Sequence, residues 1–173
     1  MEQIKHKISE KNYYFLKKIQ DYIDCEFIFF GSITRFDFLK NYSDIDIAII
    51  SDNIENTIVK IRQILDIPKI RKIYQKLPRT SSLVHGYKVN YDDIDNNLSL
   101  EIVLYDKKYK PLIMNNVNNN NNIPFYITYV LYILKLLYYK FNILSDDTLK
   151  YFKNILIGNY LGQELPNAII SIK

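Results

Sequence analysis

The stretch FIFFGSITRFDFLKNYSDIDIAII, residues 27–50, constrains this chain more than any other. An apolar, aromatic run reads as a strand and stops at Gly31-Ser32. A second apolar run, SDIDIAII, reads as the next strand. Its alternation puts Asp44, Asp46 and Ala48 on one face and Ile45, Ile47 and Ile49 on the other. Two aspartates on one strand face repel each other, and burying either without a partner is costly. A divalent cation such as Mg²⁺ removes both problems. It takes carboxylate oxygens and keeps waters that substrate phosphates can replace. Gly-Ser directly after a strand allows a tight turn whose amides, with the Ser32 hydroxyl, can meet phosphate oxygens. The bland alternative is a water-facing edge strand that carries Asp44 and Asp46 for solubility.

The rest of the chain supplies elements around this pair. Ser9 is a candidate N-cap, with Tyr13, Leu16, Ile19 and Ile23 at helical spacing behind it. Residues 54–66 carry Ile54, Ile58, Ile61 and Leu65 at the same spacing, and Pro68 marks the exit. Residues 70–84 fit strand or helix. GYKVNY and LSLEIVLY read as two strands joined by the polar turn DDIDNN. Seven of the eight residues 115–122 are Asn, which reads as a low-complexity loop. Two helices are expected at 124–141 and 145–157. The most apolar of these segments, IPFYITYVLYILKLLYY, is broken by Lys135 and short for a membrane span, so a buried helix is expected. The element order is α-β-β-α-β-β with a helical end. The fold class is α/β (α+β): a small mixed sheet with helices on one side and a helical C-terminal part. The expected organisation is a core over 1–112, an Asn-rich loop over 113–123, and a helical segment over 124–173 packed on the core.

GSITR followed by SDIDI resembles the nucleotidyltransferase superfamily related to DNA polymerase beta. The resemblance is close over about residues 25–50 and extends by element order to residues 9–105. It implies transfer of a nucleoside monophosphate from a nucleoside triphosphate to a hydroxyl, with two divalent ions, Mg²⁺ or Mn²⁺. By that resemblance Gly31 and Ser32 hold the triphosphate, with Arg35 in the same loop, and Asp44 and Asp46 bind metal. Many members carry Gly after this Arg; here the residue is Phe36, so the loop turns differently. The resemblance also calls for a third carboxylate on a later strand, usually Asp. Glu101 shares a strand face with Ser99, Val103 and Tyr105, opposite Leu98, Leu100, Ile102 and Leu104, and an acid there asks for a partner. Glu101 is the expected third ligand or proton acceptor, and Asp106 is the runner-up. Asp92, Asp93 and Asp95 read as hairpin-turn residues.

The formal charge of +4 permits a nucleic-acid partner without demanding one. Basic residues concentrate at 60–79, where seven of them, including Arg71 and Lys72, face only Asp66. That stretch reads either as a solvated surface or as a groove for a polynucleotide or the triphosphate. Sixteen tyrosines could stack bases, but the wealth of Asn, Ile, Lys and Tyr also follows from an AT-biased genome, as in a large DNA virus or an AT-rich microbe. His85 reads as a packing residue. Cys25 is the only cysteine, so an intrachain disulfide is excluded, and a cytoplasmic or other reducing compartment is expected. The start lacks a signal-peptide core, and no membrane partner is expected. Three readings of the acceptor remain: a polynucleotide 3′ hydroxyl of DNA or RNA, a protein or small molecule, or no acceptor in a catalytically silent nucleotide- or nucleic-acid-binding protein.

Overall fold

The computed structural model describes residues 1–67, 70–77, 82–162 and 169–171. Helix α1 (Glu10–Ile23) begins at the Ser9 cap, where Ser9 Oγ accepts from the Asn12 amide at 3.2 Å, and ends at Asp24 in the left-handed region, φ 56°. Strand β1 (Phe27–Phe30) runs into a 3-10 turn, Gly31–Thr34, and β2 spans Ile45–Ser51. Helix α2 (Ile54–Leu65) is capped by Asn53 and exits at Asp66, also left-handed. Pro68, expected to mark that exit, lies outside the described residues, as do Lys69 and Arg79 of the basic stretch.

The ambiguous stretch resolves as a strand, β3 (Arg71–Lys76). The expected hairpin follows as β4 (Leu83–Asp93) and β5 (Leu98–Asp106). With β6 (Ile169–Ser171) they form one six-stranded sheet in the order β1-β2-β5-β4-β3-β6. Only β2 and β5 are parallel; the other neighbours are antiparallel. Each strand of the parallel pair buries one face under α1 and α2. Ile45, Ile47 and Ile49 of β2 and Leu100, Ile102 and Leu104 of β5 pack there against Leu16, Ile19 and Ile61. This alternation fixes the register, because a one-residue slip would turn the isoleucines outward.

The Asn-rich segment is not a loop. It forms helix α3 (Lys110–Asn121), which lies on the opposite sheet face through Ile113 and Val117, against Ala48, Val103 and Tyr105. Asn is a poor helix former, so packing by two apolar residues four apart, plus Pro111 in the first turn, carries the element. Helices α4 (Phe125–Tyr139) and α5 (Asp146–Leu161) complete the chain's helical part. Ile123, Ile127 and Leu131 pack on Leu156 and Ile157 between them. The expectation of a buried α4 is met only on one stripe: Ile127, Thr128, Leu131 and Lys135 are buried, whereas Phe125, Tyr126, Tyr129, Val130 and Ile133 are exposed. No described helix is long and apolar enough to cross a membrane.

Candidate functional site

Sheet register assembles the site. Phe30 of β1 pairs with Asp46 of β2, and Asp46 pairs with Glu101 of β5. The two carboxylates therefore stand side by side on neighbouring strands, on one face, at a strand spacing of about 4.8 Å. That face is the one opposite α1 and α2. Ala48 and Val103, the next pair along the same face, belong to the core under α3.

Gly31 closes over Asp46. Its φ is +71°, and a Cβ placed there would lie 2.1 Å from Asp46 Oδ2. Both facts require glycine: the backbone conformation strains other residues, and the carboxylate fills the space a side chain would need. Ser32 is buried in the 3-10 turn, and no described group bonds its hydroxyl. The Thr34 hydroxyl donates to the Gly31 carbonyl at 2.9 Å and lies 2.8 Å from the Asn121 side-chain amide. The Asn-rich helix thus braces the turn, which composition alone did not suggest.

The carboxylates hold excess negative charge. Burial first, then the charges of Glu101 and Asp44, push the Asp46 carboxyl up to about 7 against partial relief from Lys153 and Arg35. Asp44 itself is exposed just before β2. Glu101 is drawn to Lys88 of β4, Nζ to Oε2 2.6 Å. These two facts explain why the expected three-carboxylate set is not gathered: among the described residues no group of three His, Cys, Asp or Glu side chains is close enough to hold an ion. Asp106 does not substitute for Glu101. It lies five residues on, roughly 17 Å along the strand at about 3.3 Å per residue and on the other face. There its carboxylate accepts from the Lys108 amide at 2.9 Å. Asp92 and Asp93, expected in the hairpin turn, are instead the last two residues of β4, bonded to Ser99 and Asn96 respectively. His85 packs, its Nδ1 2.7 Å from the Tyr109 hydroxyl.

Arg35 is committed elsewhere. Its Nε and Nη2 donate to the Asp37 carboxylate at 2.9 and 3.1 Å, and Nη1 donates to the Asn120 carbonyl at 3.2 Å. Lys135 of α4 reaches the same carboxylate at 3.2 Å and donates to the Asp37 carbonyl at 2.9 Å. Burial alone would raise the Asp37 carboxyl; Arg35 and Lys135 overcome it and hold the group below the usual carboxylate range. This buried network fixes α4 to the segment that leads into Asp44. Arg35 is therefore in place to brace the turn, and its guanidinium is not free for a phosphate.

Arg71 and Lys72, expected to act together, point to opposite faces of β3. Arg71 pairs with Lys88 and so shares the Asp46–Glu101 face, whereas Lys72 pairs with Tyr87 and lies over the Tyr74 ring. The helical part supplies groups that sequence reasoning missed. The charge of Lys153 on α5 reaches Asp46. Burial, then the charge of Asp44, raises the Tyr139 hydroxyl on α4. The one usable signal for this was Lys135, a single charge inside an apolar helix.

Comparison with known proteins identifies a family for most of the sheet-forming part of the chain. Residues 12–113 match the family described as Nucleotidyltransferase domain. No curated protein matches the sequence. A solved structure described as "structure of GLD-2/RNP-8 complex" is similar at 15% identity with a TM-score of 0.38. The likeness covers 81% of this chain and 51% of that one, so this chain spans about half the length of that relative.

Proposed function

This chain belongs to the nucleotidyltransferase domain family, and from that premise we propose that it moves a nucleoside monophosphate from an NTP or dNTP to a polynucleotide 3′ hydroxyl. The observation that carries the reading is the row Phe30–Asp46–Glu101, with the Gly31 backbone seated on the Asp46 carboxylate. Two acids on neighbouring strands, beneath a turn that can offer amides, suit a substrate that arrives as a polyanion with its own cations.

The donors fit Mg²⁺ or Mn²⁺. Asp44, Asp46 and Glu101 supply hard oxygens, and burial with the charges of Glu101 and Asp44 raises the Asp46 carboxyl, which a bound cation would reverse. Glu101 must exchange Lys88 for the ion. When bound, the ions stabilise charge on the attacking and leaving oxygens. The protein's own part is to place the groups. The Gly31 amide and Ser32 hydroxyl hold the triphosphate, and Lys153 and Arg71 add positive charge on the same side. Glu101 accepts the proton of the acceptor hydroxyl as its oxygen bonds to the α-phosphorus, and the bond to the leaving oxygen breaks to release pyrophosphate.

One observation favours a second reading. A groove beside Asp44, between residues 41–43 and the β4–β5 turn, is lined by Tyr42, Asp92, Asp93 and Ser99. Its two carboxylates suit an amine-bearing small acceptor better than a nucleic acid. The test is incubation with each labelled nucleoside triphosphate and Mg²⁺ or Mn²⁺, followed by separation of DNA, RNA, protein and small-molecule products. Labelled polynucleotide supports the first reading, and labelled small molecule supports the second. No labelled product, with metal-dependent nucleotide binding intact, would leave a silent binder.

A further inference from the structure

Helix α4 carries an aromatic stripe that packing does not require. Phe125, Tyr129, Tyr132 and Tyr139 fall at spacings of four, three and seven, along one side of the helix. Phe36 leans on the first three, with ring centroids 5.5, 6.5 and 5.1 Å away. Tyr42 packs on Tyr139 at 5.2 Å. Phe36, Tyr42, Phe125 and Tyr129 remain 53, 45, 66 and 48% exposed. Several rings this exposed and in mutual contact form a contiguous patch, which marks an interaction surface where scattered single rings do not.

The stripe has a direction and a charge. From Phe125 to Tyr139 it runs about 21 Å at 1.5 Å per residue, the length of roughly six stacked nucleotides at about 3.4 Å each. One end is anchored by Phe36, four residues after Ser32. The other meets Tyr42, two residues before Asp44. It therefore leads along the helix into the carboxylates. Helix α4 contains no Asp or Glu. In the facing segment 36–43 the only acid is Asp37, buried and neutralised by Arg35 and Lys135. Lys40 and Lys140 are exposed beside the Tyr42–Tyr139 pair. Over Phe36, Phe125 and Tyr129 the stripe is half-exposed rings on elements that carry no free acid, and at the Tyr139 end Lys40 and Lys140 stand against the charges of Asp44 and Asp146, so the stripe suits a single strand whose bases stack and whose phosphates face water.

We propose that the aromatic stripe of α4, with Phe36 and Tyr42, is the track on which a single-stranded polynucleotide acceptor stacks as its 3′ end enters the carboxylate site. The proposal rests on the nucleotidyl-transfer reading for the chemistry at the end of the track. It goes beyond that reading in assigning the surface, most of which lies outside residues 12–113.

The test uses the full chain and a labelled 12-nucleotide single strand, RNA or DNA, read by fluorescence anisotropy at low salt. F36A/Y129A should weaken oligonucleotide binding at least about tenfold, since stacking contributes about 1–3 kcal/mol per base and about 1.4 kcal/mol is tenfold. Metal-dependent nucleotide binding by calorimetry should not change, and Y129F should keep wild-type oligonucleotide affinity because the ring remains. Circular dichroism confirms that the double variant is folded. Unchanged oligonucleotide affinity in F36A/Y129A overturns the track, as does absence of oligonucleotide binding by the wild type. A wild-type dimer that F36A/Y129A dissociates also overturns it and assigns the face to a second copy. The two readings separate: binding along the stripe without nucleotide addition sinks the transfer reading alone. Nucleotide addition to a polynucleotide with unaltered affinity in the double variant sinks the track alone.

Discussion

Asp37 should be the most sensitive single position outside the candidate site. Its side chain is 1% exposed and holds two cations, Arg35 and Lys135, whose side chains are 5 and 10% exposed. D37N keeps the shape and removes the charge, leaving both cations buried without a counter-ion. Removing one partner from a buried ion pair costs about 3–5 kcal/mol. K135M is a different perturbation. Methionine replaces the apolar stem, and Asp37 keeps its two bonds from Arg35, so the loss is that of charge-assisted bonds, about 1.5–3 kcal/mol. D37N should therefore be the costlier change, by roughly 1–2 kcal/mol, against a total stability of about 5–15 kcal/mol. In urea unfolding followed by circular dichroism at pH 7, a loss of about 4 kcal/mol lowers the midpoint by roughly 2 M. The double variant D37N/K135M should cost less than the sum, because the second change removes a stranded cation. The depressed Asp37 carboxyl adds a pH signature. Its contribution is full above the ordinary carboxylate value and is lost as pH falls through its lower folded value, so the gap between D37N and wild type should close in acid. Equal costs for D37N and K135M, or strict additivity, would refute the network.

Other changes test the site itself. The Asp46 carboxyl rises from 3.8 to about 7 on folding, so the apo protein should lose stability as pH climbs through that window. D46N removes the penalty. In chelator its unfolding free energy from urea titration should match wild type near pH 4 and exceed it at pH 8, by an amount bounded at roughly 4 kcal/mol, and a gap that does not vary with pH refutes the assignment. E101Q should lower turnover far more than nucleotide affinity in steady-state kinetics and calorimetry; unchanged turnover would remove Glu101 from the chemistry. R71A should weaken binding of nucleotide or polynucleotide at low salt and K72A should not, because only Arg71 shares the carboxylate face; equal effects would contradict the β3 register. G31A should abolish metal-dependent nucleotide binding, since its methyl group would displace the Asp46 carboxylate; wild-type calorimetry of G31A would refute the close approach.

What was legible in the sequence had short-range causes. The Ser9 cap, the alternation of SDIDIAII and the Gly31 stop are local rules, and each element formed where they placed it. The partnership of Asp46 with Glu101 followed from alternation on two strands, and parallel pairing supplied the register. Residues 70–84 were illegible because β3 shows no clean alternation; only Ile73 is fully buried, and strand neighbours on both sides fix the element. The Asn run misled for a related reason. Its composition argues for a loop, but Ile113 and Val117 sit on one helical face, and the sheet offers Ala48 and Val103 to receive them. Two apolar residues outweigh the six Asn within the helix once a core is available.

Charge was the hardest signal to read, because the sign of a residue says nothing of what it faces. The basic run at 60–79 looked like a groove, yet β3 splits Arg71 from Lys72 by strand alternation. Arg35 looked like a phosphate ligand from its place beside Gly31 and Ser32, but its bonds go to Asp37 and Asn120. Lys135, which the sequence showed only as a flaw in an apolar helix, is the group that makes the helical part belong to the site. Through Asp37 it pins α4 to the segment that ends at Asp44, and α5 follows through the apolar contacts around Leu131. Tyr139 then feels the charge of Asp44, and Asp46 feels that of Lys153. K135M thus separates two roles. If α4 is only a prop, nucleotide binding survives in the folded variant with its affinity unchanged. If α4 and α5 shape the site, K135M should weaken metal-dependent nucleotide binding under conditions where circular dichroism shows a folded core. Restoring the ammonium with K135R should recover part of that affinity, to the extent that the guanidinium can still reach Asp37.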